Sequence, residues 1–289
     1  MEICSMCPRR CGADRNERTG VCGAPQRFLV PRVSLHAFEE PCLSGKNGSG
    51  TVFFGGCNLH CVFCQNHAIS GGGVGELLTG EALESRIFEL VERGAHNINL
   101  VTPTHYTLPL ARLLAGIKHK LPVPVVWNSG SYESVSALRA LDGLVDVYLP
   151  DFKYASSELA TRYSHAPDYP EVALAAIREM YRQRGAVRFD GKGMMVTGVM
   201  VRHLVLPTAR KDSMAALSLL AKHLPVADIR LSLMSQFTPD FVDATVYPEL
   251  ARRVTSFEYD SVVRHALALG FDGYLQDRAS ATKDYTPDF

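Results

Sequence analysis

An α/β fold is what this sequence predicts: an open partial (β/α)6 barrel with a short Cys-rich segment ahead of it. Two observations carry the barrel. From about residue 46, short apolar runs alternate with stretches of helical period, the pattern of βαβ units around a parallel sheet. Only six such units are present, too few to close an eight-stranded barrel. The third observation is size: 289 residues, 46% of them hydrophobic and 21% charged, can bury one large core. The chain divides into residues 1–45, a barrel over 46–276 and a tail over 277–289.

The elements follow in order. Residues 51–55 form the first strand. A helix spans 79–93, with Leu83, Ile87, Leu90 and Val91 on one face and Gly94 to stop it. Residues 97–102 are the second strand. Leu110, Leu113, Leu114 and Ile117 mark a helix that ends before Pro122. The third strand is 124–128, followed by a helix carrying Val135, Leu138 and Leu141 with Ser131 as its cap. The fourth is 145–149. A short helix over 157–163 precedes a longer one from Pro170, a residue suited to a first helical turn, which ends at Gly185. In the apolar run 195–206 the latter half is the fifth strand. Asp212 caps the helix of Leu217, Leu220, Ala221 and Leu224. The sixth strand is 228–234, Thr255 and Glu258 form a capping box for the last helix, and 271–276 adds a closing strand. The tail has no period and reads as surface chain.

Composition narrows the function. Thirty Lys and Arg against thirty Asp and Glu argue against a general polyanion binder, so no nucleic-acid partner is expected. No apolar run is long enough to span a membrane. Eight cysteines without a secretory signal point to a reducing cytoplasm and to metal rather than disulfide use. Cys4, Cys7, Cys11 and Cys22 fall within nineteen residues, in a segment too short to bury a core. Their spacing suits a zinc ion or an iron–sulfur cluster, with unligated thiols as the alternative. Cys42, among apolar neighbours, reads as a buried structural thiol.

The most informative stretch runs from Gly55 to His67. Cys57, Cys61 and Cys64 lie on a loop that leaves the carboxyl end of the first strand, and Gly55-Gly56 lets the backbone turn sharply there. Zinc normally takes four protein ligands, whereas three thiolates suit an iron–sulfur cubane with one iron left open. With Phe63 just before the third cysteine, this stretch resembles the signature of radical S-adenosylmethionine (SAM) enzymes. The resemblance covers roughly residues 50–240 and leans toward the pyruvate formate-lyase activating enzyme-like, glycyl-radical activating group.

The resemblance implies a [4Fe-4S] cluster on Cys57, Cys61 and Cys64, with the amino and carboxylate groups of SAM on the open iron. Strand carboxyl ends are where a parallel barrel places its site, and the resemblance gives those ends roles. Thr102 and Thr104 stand where the family holds the methionine amino group with a Gly-Gly-Glu motif that this chain lacks. Asn128-Ser129-Gly130 is similar to a segment near the ribose. Asp151-Phe152-Lys153 resembles an Asp-Leu-Lys motif in which Lys153 meets a carboxylate. Arg202 and Gln236 match positions facing the nucleoside. Each has a plainer reading: turn chemistry at Asn128, mutual pairing of Asp151 and Lys153, a structural ion pair at Arg202. His67 and His105 are either proton donors or ordinary structural histidines, and Trp127 reads as core. A flavodoxin or ferredoxin type electron donor is implied. The substrate is then a glycine of a partner enzyme, another protein or peptide, or a small molecule. A non-catalytic iron–sulfur or zinc redox sensor is the rival class.

Overall fold

The computed structural model describes residues 4–277; the tail expected from residue 278 onward lies outside the described residues. Two short strands, β1 (Phe28–Val30) and β2 (Arg32–His36), and a one-turn helix, α1 (Pro41–Ser44), precede the first expected strand, β3 (Ser49–Phe53). The cysteine loop leads to α2 (His67–Ser70), to β4 (Glu76–Leu78), which pairs antiparallel with β1, and to α3 (Gly80–Glu92). The βα units continue as β5 (Ile98–Val101), α4 (Thr107–Ile117), β6 (Val125–Ser129), α5 (Val135–Leu138) and β7 (Val147–Pro150). Two helices follow, α6 (Ser157–Ser164) and α7 (Tyr169–Arg184), then β8 (Arg188–Phe189) and β9 (Met195–Leu204). The chain closes with α8 (Arg210–His223), β10 (Arg230–Met234), α9 (Ser256–Ala268) and β11 (Gly273–Leu275).

The sheet runs β2-β3-β5-β6-β7-β9-β10-β11, parallel from β3 to β11, with β2 antiparallel on the outer edge. Among the described residues no pairing joins β2 to β11, so the barrel is open, as expected, and β11 extends the six parallel strands. Among the described residues no helix is long and apolar enough to cross a membrane.

Local chemistry explains most boundaries. Thr79 accepts from the Ala82 amide at the start of α3, and Thr255 with Glu258 forms the expected capping box of α9. Three expectations are corrected. Ser131 does not cap a helix: it sits buried at φ 62 in the turn after β6, and α5 starts only after Ser134. Asp212 lies inside the first turn of α8, and its carboxylate accepts from the Ala155 amide instead. The strand begins at Met195 and runs to Leu204, because β8 folds back on its first half through a turn in which Asp190 accepts from the Lys192 and Met194 amides. Residues before 46 also add β2 to the sheet and α1 to its interior.

Strand alternation divides the sheet into two faces. Leu100, Trp127, Tyr148, Val199 and Val201 point outward into the main core under the helices. Val126, Val147, Leu149 and Met200 point inward, where they meet Cys42 and Leu43 of α1 in a separate apolar cluster. The segment around α1 therefore plugs the barrel, and Cys42 is the buried thiol its neighbours predicted.

Candidate active site

Above the plug the inward positions turn polar. The next inward residues on the same strands are Asn128, Asp151 and Arg202, and they line a cavity of about 390 Å³. All three cysteines of the loop lie on its wall, with Phe63, Thr102, Lys153 and Gln236. Gly56 permits the loop's path: at φ 88 it packs so closely that a Cβ would collide with the Cys22 carbonyl. Phe63 is wedged between the rings of Tyr154, Tyr163 and Phe237 in edge contacts at 6.5, 6.3 and 6.3 Å. Thr102 sits at φ 57, a left-handed conformation that a β-branched residue rarely adopts, and its amide donates to the Asn128 carbonyl at 2.9 Å.

One network joins the charged residues. Asp151 accepts from Lys153 Nζ at 2.7 Å and from Arg202 Nε at 2.9 Å. Arg202 also donates to Asn128 Oδ1 at 2.6 Å and reaches Glu39 Oε2 at 3.4 Å. Glu39 Oε1 accepts from Asn99 at 3.0 Å and Asn128 at 3.4 Å. Burial pushes the Asp151 carboxyl up, but the Arg202 and Lys153 charges outweigh it and hold it below the usual range. For Glu39 burial wins over Arg202, and its pKa rises to about 7. The pairing expected between Asp151 and Lys153 is thus present, and it lies on the cavity wall.

The thiols are poised differently. Burial, then the neighbouring Cys61 and Cys57, push Cys64 up to about 12, and burial also raises Cys61 despite Lys153. Cys61 Sγ accepts from the Ser164 hydroxyl at 3.0 Å. Among the described residues no three of Cys, His, Asp or Glu converge as ligands of a single ion. Three thiolates on one loop suit a cubane, in which each thiolate binds its own iron. The cavity also holds buried polar atoms without a protein partner, Glu40 Oε2 and Gln65 Nε2, which a polar ligand can satisfy. The residues present therefore fit a thiolate-bound cluster with a zwitterionic ligand beside it.

Some expected site residues lie elsewhere. Thr104 is off the wall: its hydroxyl and the Trp127 indole N–H both donate to Glu133 Oε1 at 2.8 Å. His105 is buried against the Gly55 carbonyl, and burial lowers its pKa to about 3, which leaves it neutral and structural. His67 packs on the Phe241 ring. Sequence reasoning missed Glu39, Glu40, Gln65 and Gln276. Gln276 donates to Gln236, which donates to Gln65, so β11, the end of β10 and the cysteine loop are tied together. A visible signal for Glu39 was the Glu-Glu-Pro run, acidic residues beside an apolar turn.

Comparison with known proteins follows the same lines. A model of the Radical SAM superfamily matches residues 51–199, just over half of the chain. An uncharacterized protein of Methanocaldococcus jannaschii is 29% identical over 278 residues, covering 93% of this chain and 75% of that protein. Among solved structures, SuiB of Streptococcus suis bound to precursor peptide SuiA superposes with TM-score 0.54 at 9% identity, over 76% of this chain and 46% of SuiB. A radical SAM methyltransferase from Sphaerobacter thermophilus gives TM-score 0.51 at 13% identity, over 79% of this chain and 66% of that one. The chain spans less than half of SuiB, and likeness at these identities is one of fold.

Proposed function

This chain belongs to the radical SAM superfamily, and from that premise we propose that it is an activating-enzyme-like oxidoreductase acting on a polypeptide, with a glycine of a partner enzyme as the target. The observation that carries the reading is the single cavity in which Cys57, Cys61 and Cys64 face the Asp151, Lys153, Arg202 and Asn128 network. When bound, the [4Fe-4S] cluster and SAM supply reductive cleavage to a 5'-deoxyadenosyl radical, which takes a hydrogen atom from the substrate.

The chain's own residues set the stage for that chemistry. Cys57, Cys61 and Cys64 hold the cluster. Lys153, kept charged by Asp151, offers an ammonium to the ligand's carboxylate. Asn128 and Arg202 meet the ribose and nucleoside, with Gln236 at the far wall. Phe63 screens the cluster from solvent. Thr102, at a strained strand end, takes the place of the missing Gly-Gly-Glu contact, and Thr104 supports it through Glu133. A buried wall excludes water from a reactive species. The open side of the barrel leaves room for a protein loop, and SuiB, of the same fold, is seen with a peptide. A flavodoxin or ferredoxin type donor supplies the electron. The four N-terminal cysteines form an accessory metal site.

The test is anaerobic reconstitution with iron and sulfide, then dithionite and SAM, with 5'-deoxyadenosine followed by mass spectrometry. Wild type should produce it and Cys61→Ala should not. A loaded wild type that never cleaves SAM would overturn the reading.

A further inference from the structure

The cavity reaches the open side of the barrel. There its wall is made by the two edges of the sheet, with His36 on β2 and Phe38 just after it, and Tyr274 and Leu275 on β11. Phe38 and Leu275 are exposed at the rim. None of the residues given above to the cluster or to SAM comes from β2, α1 or β11.

Between these edges the chain turns into α1 at Glu40. A residue before proline is held extended, and Glu40, ahead of Pro41, sits at φ −53, ψ 145. Its carbonyl accepts from the Leu43 and Ser44 amides at 2.8 and 3.0 Å, and the Ser44 hydroxyl accepts from the Glu39 amide at 3.0 Å. The plug braces the same turn, since Tyr274 packs against the cluster that holds Cys42 and Leu43. The backbone at Glu40 is therefore fixed, but its side chain makes no cap bond to the helix and lines the cavity instead.

The three carboxylates of the cavity wall differ in how they are satisfied. Asp151 holds Lys153 and Arg202, and Glu39 holds Asn99, Asn128 and Arg202. Glu40 Oε2 is buried with no hydrogen-bond partner, and among the described residues no ion pair includes Glu40. A buried carboxylate oxygen is costly to leave without a donor, and a charged donor compensates it best. SAM offers no spare donor of that kind: its amino nitrogen belongs on the open iron, and its sulfonium carries no hydrogen.

We propose that Glu40 anchors a substrate subsite and takes a basic side chain, arginine or lysine, of the polypeptide from which hydrogen is removed. The inference rests on the reading of this cavity as a radical SAM site with a polypeptide substrate, and it narrows that substrate to a chain with a cationic residue beside the target. The side chain enters between β2 and β11, lays its methylenes along Phe38 and Leu275, and donates to Glu40 Oε2.

The test is calorimetry on the reconstituted protein with saturating SAM and no reductant, so that nothing is cleaved. Three capped peptides are titrated: acetyl-Gly-Arg-Gly-amide, acetyl-Gly-Lys-Gly-amide and acetyl-Gly-citrulline-Gly-amide, the last a neutral match for arginine in shape. Wild type should bind either basic peptide about tenfold more tightly than the citrulline peptide. Glu40→Gln should erase that preference while still melting cooperatively, and Glu171→Gln, on the surface of α7, should keep it. Equal affinity for all three peptides in wild type, or binding of none, overturns the subsite, as does a preference that survives Glu40→Gln. A preference without 5'-deoxyadenosine formation would support the subsite and sink the reading of the reaction, whereas SAM cleavage without a preference would sink the subsite alone.

Discussion

The two faces of the central sheet share every strand and do opposite work. Trp127 and Val201 face outward, fully buried beneath helices, while their neighbours Asn128 and Arg202 face inward onto the cavity. The outer face is held by packing. The inner face is apolar only as far as the α1 plug, and above it the side chains are held by one another, through Asp151, Arg202, Asn128 and Glu39. A parallel strand buried on both sides can thus assign stability to one set of alternate residues and ligand chemistry to the other.

The sharpest way to break this division is on the outer face. Trp127→Ala should cost about 3–5 kcal/mol in urea unfolding, since it empties a fully buried site and removes a donor from Glu133. On the inner face Arg202→Met should cost less, about 1–3 kcal/mol, because Lys153 stays on Asp151 and what is lost is chiefly hydrogen bonds to Asn128 and Glu39. The same variant should abolish SAM binding by calorimetry, which Trp127→Ala should spare in the folded fraction. Equal losses of stability with SAM binding intact in both would remove the distinction.

The smallest effect sharpens it. Burial raises the Glu133 carboxyl from 4.5 to about 7 against hydrogen bonds from Trp127, Thr104 and Ser129. A raised carboxyl binds its proton more tightly in the folded chain, so its stabilisation is complete below about 4.5 and is lost as pH climbs through about 7. Glu133→Gln should therefore flatten the fall of the urea midpoint between about pH 5 and pH 8. A slope identical to wild type would show that Glu133 does not titrate in that range.

What the sequence made legible follows from the range of each interaction. The βα alternation, the capping box of Thr255 with Glu258 and the loop from Cys57 to Cys64 are set by residues a few positions apart. The polar strand ends Asn128, Asp151 and Lys153 were readable because a parallel barrel fixes where they point. β2 carried a legible signal that was passed over: polar and apolar residues alternate along Arg32-Val33-Ser34-Leu35-His36. Thr104 misled for the opposite reason: it is close in sequence to Thr102, but the turn after β5 carries it outward to Glu133. The pairing of Glu39 could not be read locally, because its partner Arg202 lies 163 residues away.

That last separation bears on how the molecule is made. Glu39 precedes every parallel strand, and Arg202 arrives only on the fifth of them, so their contact carries one of the larger loop-closure costs in the chain. The three cysteines of the loop, by contrast, all lie between Cys57 and Cys64. During synthesis the thiols are therefore exposed long before the floor beneath them exists. A chain still short of β9 carries all three cysteines but lacks Arg202, Met234 and Gln236, so the wall of the cavity is complete only when the fold is.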